Sequence, residues 1–172
     1  MIEVKTDAVN DLEYQKNSAR VLESIKNMLS DNKTIYKIDY HEPAGASKDV
    51  AKLRNERLED GGKAMILKIN DEFKLFVLSA AKIISFKKIK ARFSSKKVRF
   101  ANNEELKALT GLVPGCIPPF GRPILPLDIF LDNSILENNT ICFNAGSLTA
   151  SIEMSVEDYL KLINGERFDF SE

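Results

Sequence analysis

Between positions 111 and 126 the chain places three glycines and five of its six prolines, and that segment limits the fold more than any other. Proline fixes φ and removes an amide donor, so neither a helix nor a central strand runs through Pro114, Pro118, Pro119, Pro123 and Pro126. Glycine at 111, 115 and 121 admits positive φ and the close approach of another backbone or a ligand. The segment is therefore a long, stiff loop that regular elements must frame from both sides. Such a loop is either a stiffened connection or a rigid surface presenting main-chain groups, and its residues alone leave both open.

The framing elements are legible from periodicity. Leu12, Ala19, Leu22, Ile25 and Leu29 recur at helical spacing among charged residues and predict an amphipathic helix closed by Asn32 and Lys33. Residues 35–40 predict a strand, and Ser47 an N-cap for a helix through Val50, Ala51 and Leu53. Two apolar runs, 64–69 and 73–78, flank Asn70-Asp71-Glu72 as in a hairpin. Phe86, Ile89 and Phe93 predict a short helix with its lysines outward, and residues 98–101 a short strand. Asn102 with Glu105 forms a capping-box pattern for a helix over 104–109. Beyond the loop, residues 128–131, 140–143 and 151–154 predict buried strands, and Ser155 with Asp158 opens a last helix stopped by Gly165. This order predicts an α+β fold: a mixed, largely antiparallel sheet or partial barrel flanked by helices. The expected organisation is one domain over residues 1–172, with 1–32 as an N-terminal helical extension.

With 44% hydrophobic and 29% charged residues, the chain reads as globular rather than disordered. Formal net charge is zero, so bulk electrostatics do not announce a nucleic-acid binder. Residues 82–99 nevertheless carry eight cations and no acid, among them Lys87, Lys88 and Lys90, and a local field of that kind attracts phosphate. One histidine and two cysteines, Cys116 and Cys142, supply neither zinc-ligand spacing nor a disulfide framework. No metal or other cofactor is expected. No apolar run approaches the ~20 residues that span a bilayer, which makes the cytoplasm the expected compartment.

Few side chains suggest chemistry. Lys63, entering an apolar strand after Gly61-Gly62, can aim its ammonium at a cleft edge; a solvated strand-end lysine is the ordinary alternative. His41, beside Pro43, reads as structural. Cys116 has no histidine near it in sequence and reads as a buried, inert thiol.

Taken in order, Gly61-Gly62-Lys63-Ala64, Ala101-Asn102-Asn103-Glu104-Glu105-Leu106, the 110–121 run from Thr110 to Gly121, Asn144-Ala145-Gly146-Ser147 and Ser155-Val156-Glu157-Asp158-Tyr159 resemble the YbaK/ProX-type editing domains associated with prolyl-tRNA synthetase. The resemblance covers residues 33–165, and its most specific element is Gly-x-x-x-Pro, matched by Gly115 and Pro119. It implies hydrolysis of the ester joining a wrong amino acid to the tRNA 3′ adenosine, acting in trans on aminoacyl-tRNA, with a synthetase as a further partner. It implies catalytic roles for Lys63 and Gly115. Substrate contacts are implied at Ser47, Cys116, Ile117, Pro118, Pro119, Phe120, Gly146, Ser147 and Thr149. Some relatives carry a histidine near Gly146 and this chain does not, which moves weight from side-chain to main-chain catalysis. The alternative is a catalytically silent module that binds tRNA or a synthetase on the same fold.

Overall fold

The computed structural model describes residues 9–54 and 57–172, the side chains of residues 47, 48, 50 and 54 excepted. Helix α1 (Leu12–Asp31) starts where the Asp11 carboxylate accepts the amides of Glu13 and Tyr14, which supplies partners for two otherwise unpaired N–H groups. Its buried stripe is Tyr14, Ser18, Val21, Ile25 and Leu29. That is a different phase from the apolar spacing, because Leu12 is 80% exposed while two hydroxyl-bearing residues face inward. Both find partners there: Tyr14 accepts the Leu148 amide at 2.9 Å and Ser18 donates to the Gly146 carbonyl at 2.6 Å. The helix is thus built into the core rather than appended to it.

Next come β1 (Tyr36–Tyr40), α2 (Ser47–Arg54), β2 (Gly62–Ile69), β3 (Glu72–Ser79), α3 (Phe86–Arg92), β4 (Val98–Phe100) and α4 (Asn103–Thr110). After the Gly/Pro loop follow β5 (Ile129–Asp132), β6 (Thr140–Asn144), β7 (Ala150–Ser155), α5 (Val156–Leu162) and β8 (Glu166–Phe168). The hairpin β2–β3 turns on Asn70 and Asp71 alone, with Asn70 at φ 56 and Ile69 opposite Glu72. The capping box of α4 forms as the sequence predicts, and Gly111 closes that helix in the left-handed conformation.

The strands make two sheets instead of one. A three-stranded antiparallel sheet has the order β1-β7-β6, and a five-stranded mixed sheet the order β4-β2-β3-β5-β8. A parallel bridge between Gly61 and Cys142 joins them. Alternation along β2 and β3 sorts their side chains to two cores. Ile66, Leu75 and Val77 face the larger one, with α1, Phe120, Phe143 and Tyr159; Leu67, Ile69, Phe76 and Leu78 face a smaller one beneath α3. Strand β8 has no apolar alternation to announce it. It is held by pairing with β5 and by the buried Asp132 carboxylate, which accepts the amide of Phe170 and the hydroxyl of Ser171.

Candidate functional site

Where the two sheets meet, a cleft of about 280 Å³ opens. One wall is the start of β2, from Gly62 to Met65, and the facing wall is the end of β6, Cys142, Phe143 and Asn144. Gly45 and Ala46, just before α2, and Gly115 and Ile117 of the Gly/Pro loop complete it.

The contact between these last two segments explains their glycines. Gly115 sits at φ +91, and a Cβ added there would lie 2.5 Å from the Gly45 Cα and 2.8 Å from its carbonyl oxygen. Only a residue without a side chain fits both the conformation and the approach. Asn144 locks the pair together: its Nδ2 donates to the carbonyl of Ala44 at 2.9 Å and of Gly115 at 2.7 Å. Its Oδ1 accepts from Ser151 Oγ at 3.0 Å, and Ser151 lies 2.6 Å from His41 Nε2. His41 therefore braces the clamp behind the cleft, in keeping with a structural role. Among the described residues, the amides of Gly115 and Ile117 donate to no protein acceptor. Main-chain donors beside a cleft and without protein partners are suited to an oxygen atom of a ligand.

Lys63 supplies the cleft's cation. It stands opposite Leu78 in the β2–β3 register and is half-buried, and that burial lowers the pKa of its ammonium. Among the described residues no carboxylate pairs with it. A partly desolvated, unpaired ammonium attracts a phosphate or a developing oxyanion more strongly than a solvated one does.

The residues named from the resemblance divide into three groups. Lys63, Gly115 and Ile117 share the cleft. Cys116, Pro118, Pro119 and Phe120 are buried beneath it. The Cys116 thiol donates to the Val113 carbonyl, and burial pushes its pKa up to about 12, so it is no nucleophile at neutral pH. The Pro119 carbonyl accepts from Tyr159, and Phe120 packs edge-to-face on Phe143 and Tyr159. Gly146, Ser147 and Thr149 lie outside the lining. Gly146 has φ +74 and admits α1, since a Cβ would fall 2.6 Å from Val21 Cγ1. Ser147 and Thr149 bond to one another. The Ser47 side chain lies outside the described residues. Lys87 and Lys90 are exposed on α3, whereas Lys88 is held by Asp169 and the Ser171 carbonyl.

Sequence reasoning gave no role to Gly45, Met65 or Asn144. The available signal at Asn144 is an amide-bearing residue ending the buried run Ile141-Cys142-Phe143, where a polar group needs specific partners.

Comparisons with known proteins converge on one family. A family model described as the aminoacyl-tRNA editing domain matches residues 41–162. The chain is 29% identical over 149 residues to the Escherichia coli (strain K12) protein named multifunctional Ser/Thr-tRNA deacylase ProXp-y, covering 83% of this chain and 88% of that one. A stretch of 88 residues, 51% of the chain, is 27% identical to 15% of the proline–tRNA ligase of Macrococcus caseolyticus (strain JCSC5402). A solved structure described as a candidate trans-editing enzyme for prolyl tRNA synthetase superposes with a TM-score of 0.77 at 20% identity, over 91% of this chain and 97% of that one.

Proposed function

Because this chain belongs to the aminoacyl-tRNA editing domain family, we propose that the cleft between β2 and β6 hydrolyses the ester of a mischarged tRNA by electrostatic positioning, with Lys63 and the amides near Gly115 as its working parts. The observation that carries this is the pairing, at one cleft, of a half-buried ammonium with main-chain donors, neither of which has a protein partner among the described residues. An aminoacyl ester is already activated, so a positioned carbonyl and a stabilised tetrahedral oxyanion are sufficient catalysis. Water or the neighbouring ribose hydroxyl attacks the carbonyl carbon. The bond to the esterified ribose oxygen breaks and that oxygen takes up a proton. Attack by water gives the free amino acid directly; attack by the ribose hydroxyl gives an isomeric ester that water then cleaves. Lys63 binds the terminal adenosine's phosphate or steadies the charge on the substrate. No protein nucleophile enters: Cys116 is buried as a thiol, and the His41–Ser151 contact serves Asn144.

The E. coli relative's name makes seryl- and threonyl-tRNA the first substrates to try, and the likeness to a proline–tRNA ligase makes mischarged proline tRNA the carrier. The test is release of free amino acid from a panel of mischarged tRNAs by wild type and by Lys63→Ala. Turnover by wild type on at least one member, reduced about 100-fold or more in Lys63→Ala with an unchanged melting curve, is the expected result. Full activity in Lys63→Ala overturns the role of Lys63. Binding without turnover by wild type identifies a silent module instead.

A further inference from the structure

A second cleft, of about 320 Å³, lies at the far end of β2 and is lined by Lys68, Asn70, Lys96, Lys97, Val98 and Arg99. Lys68 and Arg99 are register partners across β2 and β4, so their side chains stand side by side on one face. The backbone carrying Lys96 and Lys97 is fixed: the Asn70 amide donates to the Lys97 carbonyl, and Ser95 Oγ donates to Asn70 Oδ1 at 2.8 Å. Glu105 is taken up by Arg99 in two bonds of 2.7 and 2.8 Å. Among the described residues, Lys96 and Lys97 form no ion pair, while Lys68 lies over the Phe73 ring, 5.3 Å from its centroid, and its charge also acts on Glu105. Helix α3 behaves differently. Its Ile89 packs with Leu67 and Ile69 on the opposite face of the sheet, Lys88 is tied to Asp169, and Arg92 to Glu166.

We propose that this braced basic cleft binds backbone phosphates of the tRNA acceptor stem while the 3′ end occupies the cleft at Lys63. The proposal rests on the function given above and adds the surface that recognises the rest of the substrate. The two clefts lie at opposite ends of β2, whose side away from β3 is bridged to β6 at Gly61 and paired with β4 at residues 67–69. Lys63 and Lys68 are five positions apart on one strand, about 17 Å, and alternation turns their side chains to opposite faces, so the nucleotide chain rounds the edge of β2 between them. A few unpaired nucleotides cross that gap, and the first paired phosphates then lie over Lys68, Lys96 and Lys97. Recognition of a stem through phosphates is independent of its sequence, which suits a surface of lysines and one arginine.

The experiment measures binding of an uncharged full-length tRNA transcript, and of its acceptor-stem minihelix, across a salt series. Wild type is compared with Lys96→Glu/Lys97→Glu and with Lys87→Glu/Lys90→Glu. Both pairs are exposed, and melting curves verify that the variants fold. Charge reversal at 96 and 97 is expected to weaken both ligands tenfold or more at low salt and to reduce the salt slope by about two. The 87/90 variant is expected to change much less. Unaltered affinity and slope in the 96/97 variant overturn the proposal, as does equal weakening in both variants, which signals only a long-range field. Because binding is read without turnover, wild type that binds through this cleft but releases no amino acid overturns the hydrolytic reading and not this one.

Discussion

Asn144 Nδ2 donates to the Gly115 carbonyl at 2.7 Å, and through that one bond the end of a buried strand fixes the position of a loop that carries no regular structure. The same amide holds the Ala44 carbonyl, so Asn144 sets the spacing of two cleft walls at once. Asn144→Ala removes both donors. Two carbonyls lose their partners, at a cost of about 1–3 kcal/mol, and the Gly115 backbone is no longer tied to the Ala44 segment. The variant is expected to unfold at a lower urea midpoint with an unchanged slope and to lose about tenfold or more in kcat/KM. Asn144→Asp is expected to do no better, since a carboxylate cannot donate to either carbonyl.

Gly115→Ala tests the loop from the other side. A β-carbon meets the Gly45 backbone, which cannot swing away as a side chain does, and φ +91 is strained for any L side chain. The substitution is expected to destabilise the protein by more than about 1 kcal/mol and to displace the loop from Gly45. Activity then falls further than global unfolding explains. Activity measured well below the melting temperature, beside a urea curve, separates the two effects. Wild-type kcat/KM in a folded Gly115→Ala protein refutes the positioning role.

How much of this was written in the chain depends on the range of the forces involved. The β2–β3 hairpin and the α4 capping box rest on neighbours in sequence, and both were legible. The phase of α1 was not, because Tyr14 and Ser18 face inward toward partners 134 and 128 positions away. Strand β8 was invisible for the same reason, Glu-Arg-Phe being ordered by Asp132 and by aromatic packing rather than by its own pattern. Within the site, Lys63 and Gly115 came from the motif they share with the editing domains. Cys116, Pro118, Pro119 and Phe120 went to the core instead of the cleft because a loop stiffened by proline still has an apolar side to bury. The clamp at Asn144 is a purely tertiary relationship, and no spacing foretells it.

Lys63 gives the pH dependence its sign. Burial lowers its pKa, so the charged form is the one the fold disfavours. If catalysis uses the ammonium, kcat/KM falls on the alkaline side with a midpoint below the ordinary lysine value of about 10.4. Spontaneous ester hydrolysis rises with pH and is subtracted from every point. Stability moves the opposite way. Below its folded pKa the protonated lysine opposes folding, and the penalty fades as pH rises through that pKa toward the unfolded value. Lys63→Met is therefore expected to melt slightly higher than wild type at pH 7 while losing deacylation. A lower melting temperature in that variant shows that the ammonium was stabilising the apo fold.

Helix α1 lies before the segment matched by the family model, yet it closes the core behind the cleft. Val21, Ile25 and Leu29 are buried, and Tyr14 holds the Leu148 amide while the Leu148 carbonyl accepts from Ala44 beside Gly45. Tyr14→Phe leaves a buried amide without its partner, at a cost of about 1–3 kcal/mol, and loosens the Ala44–Gly45 wall. Leu29→Ala opens a cavity in the same core and is expected to cost about 2–5 kcal/mol. The two variants separate packing from positioning. Leu29→Ala lowers the urea midpoint and leaves kcat/KM near wild type in the folded protein. Tyr14→Phe lowers both, through the chain from Leu148 to Gly45 and Gly115. A chain beginning at residue 33 exposes the whole face that α1 covers and is expected to show no cooperative unfolding transition. Full stability and activity in that truncated chain is the result that returns α1 to the status of a mere extension.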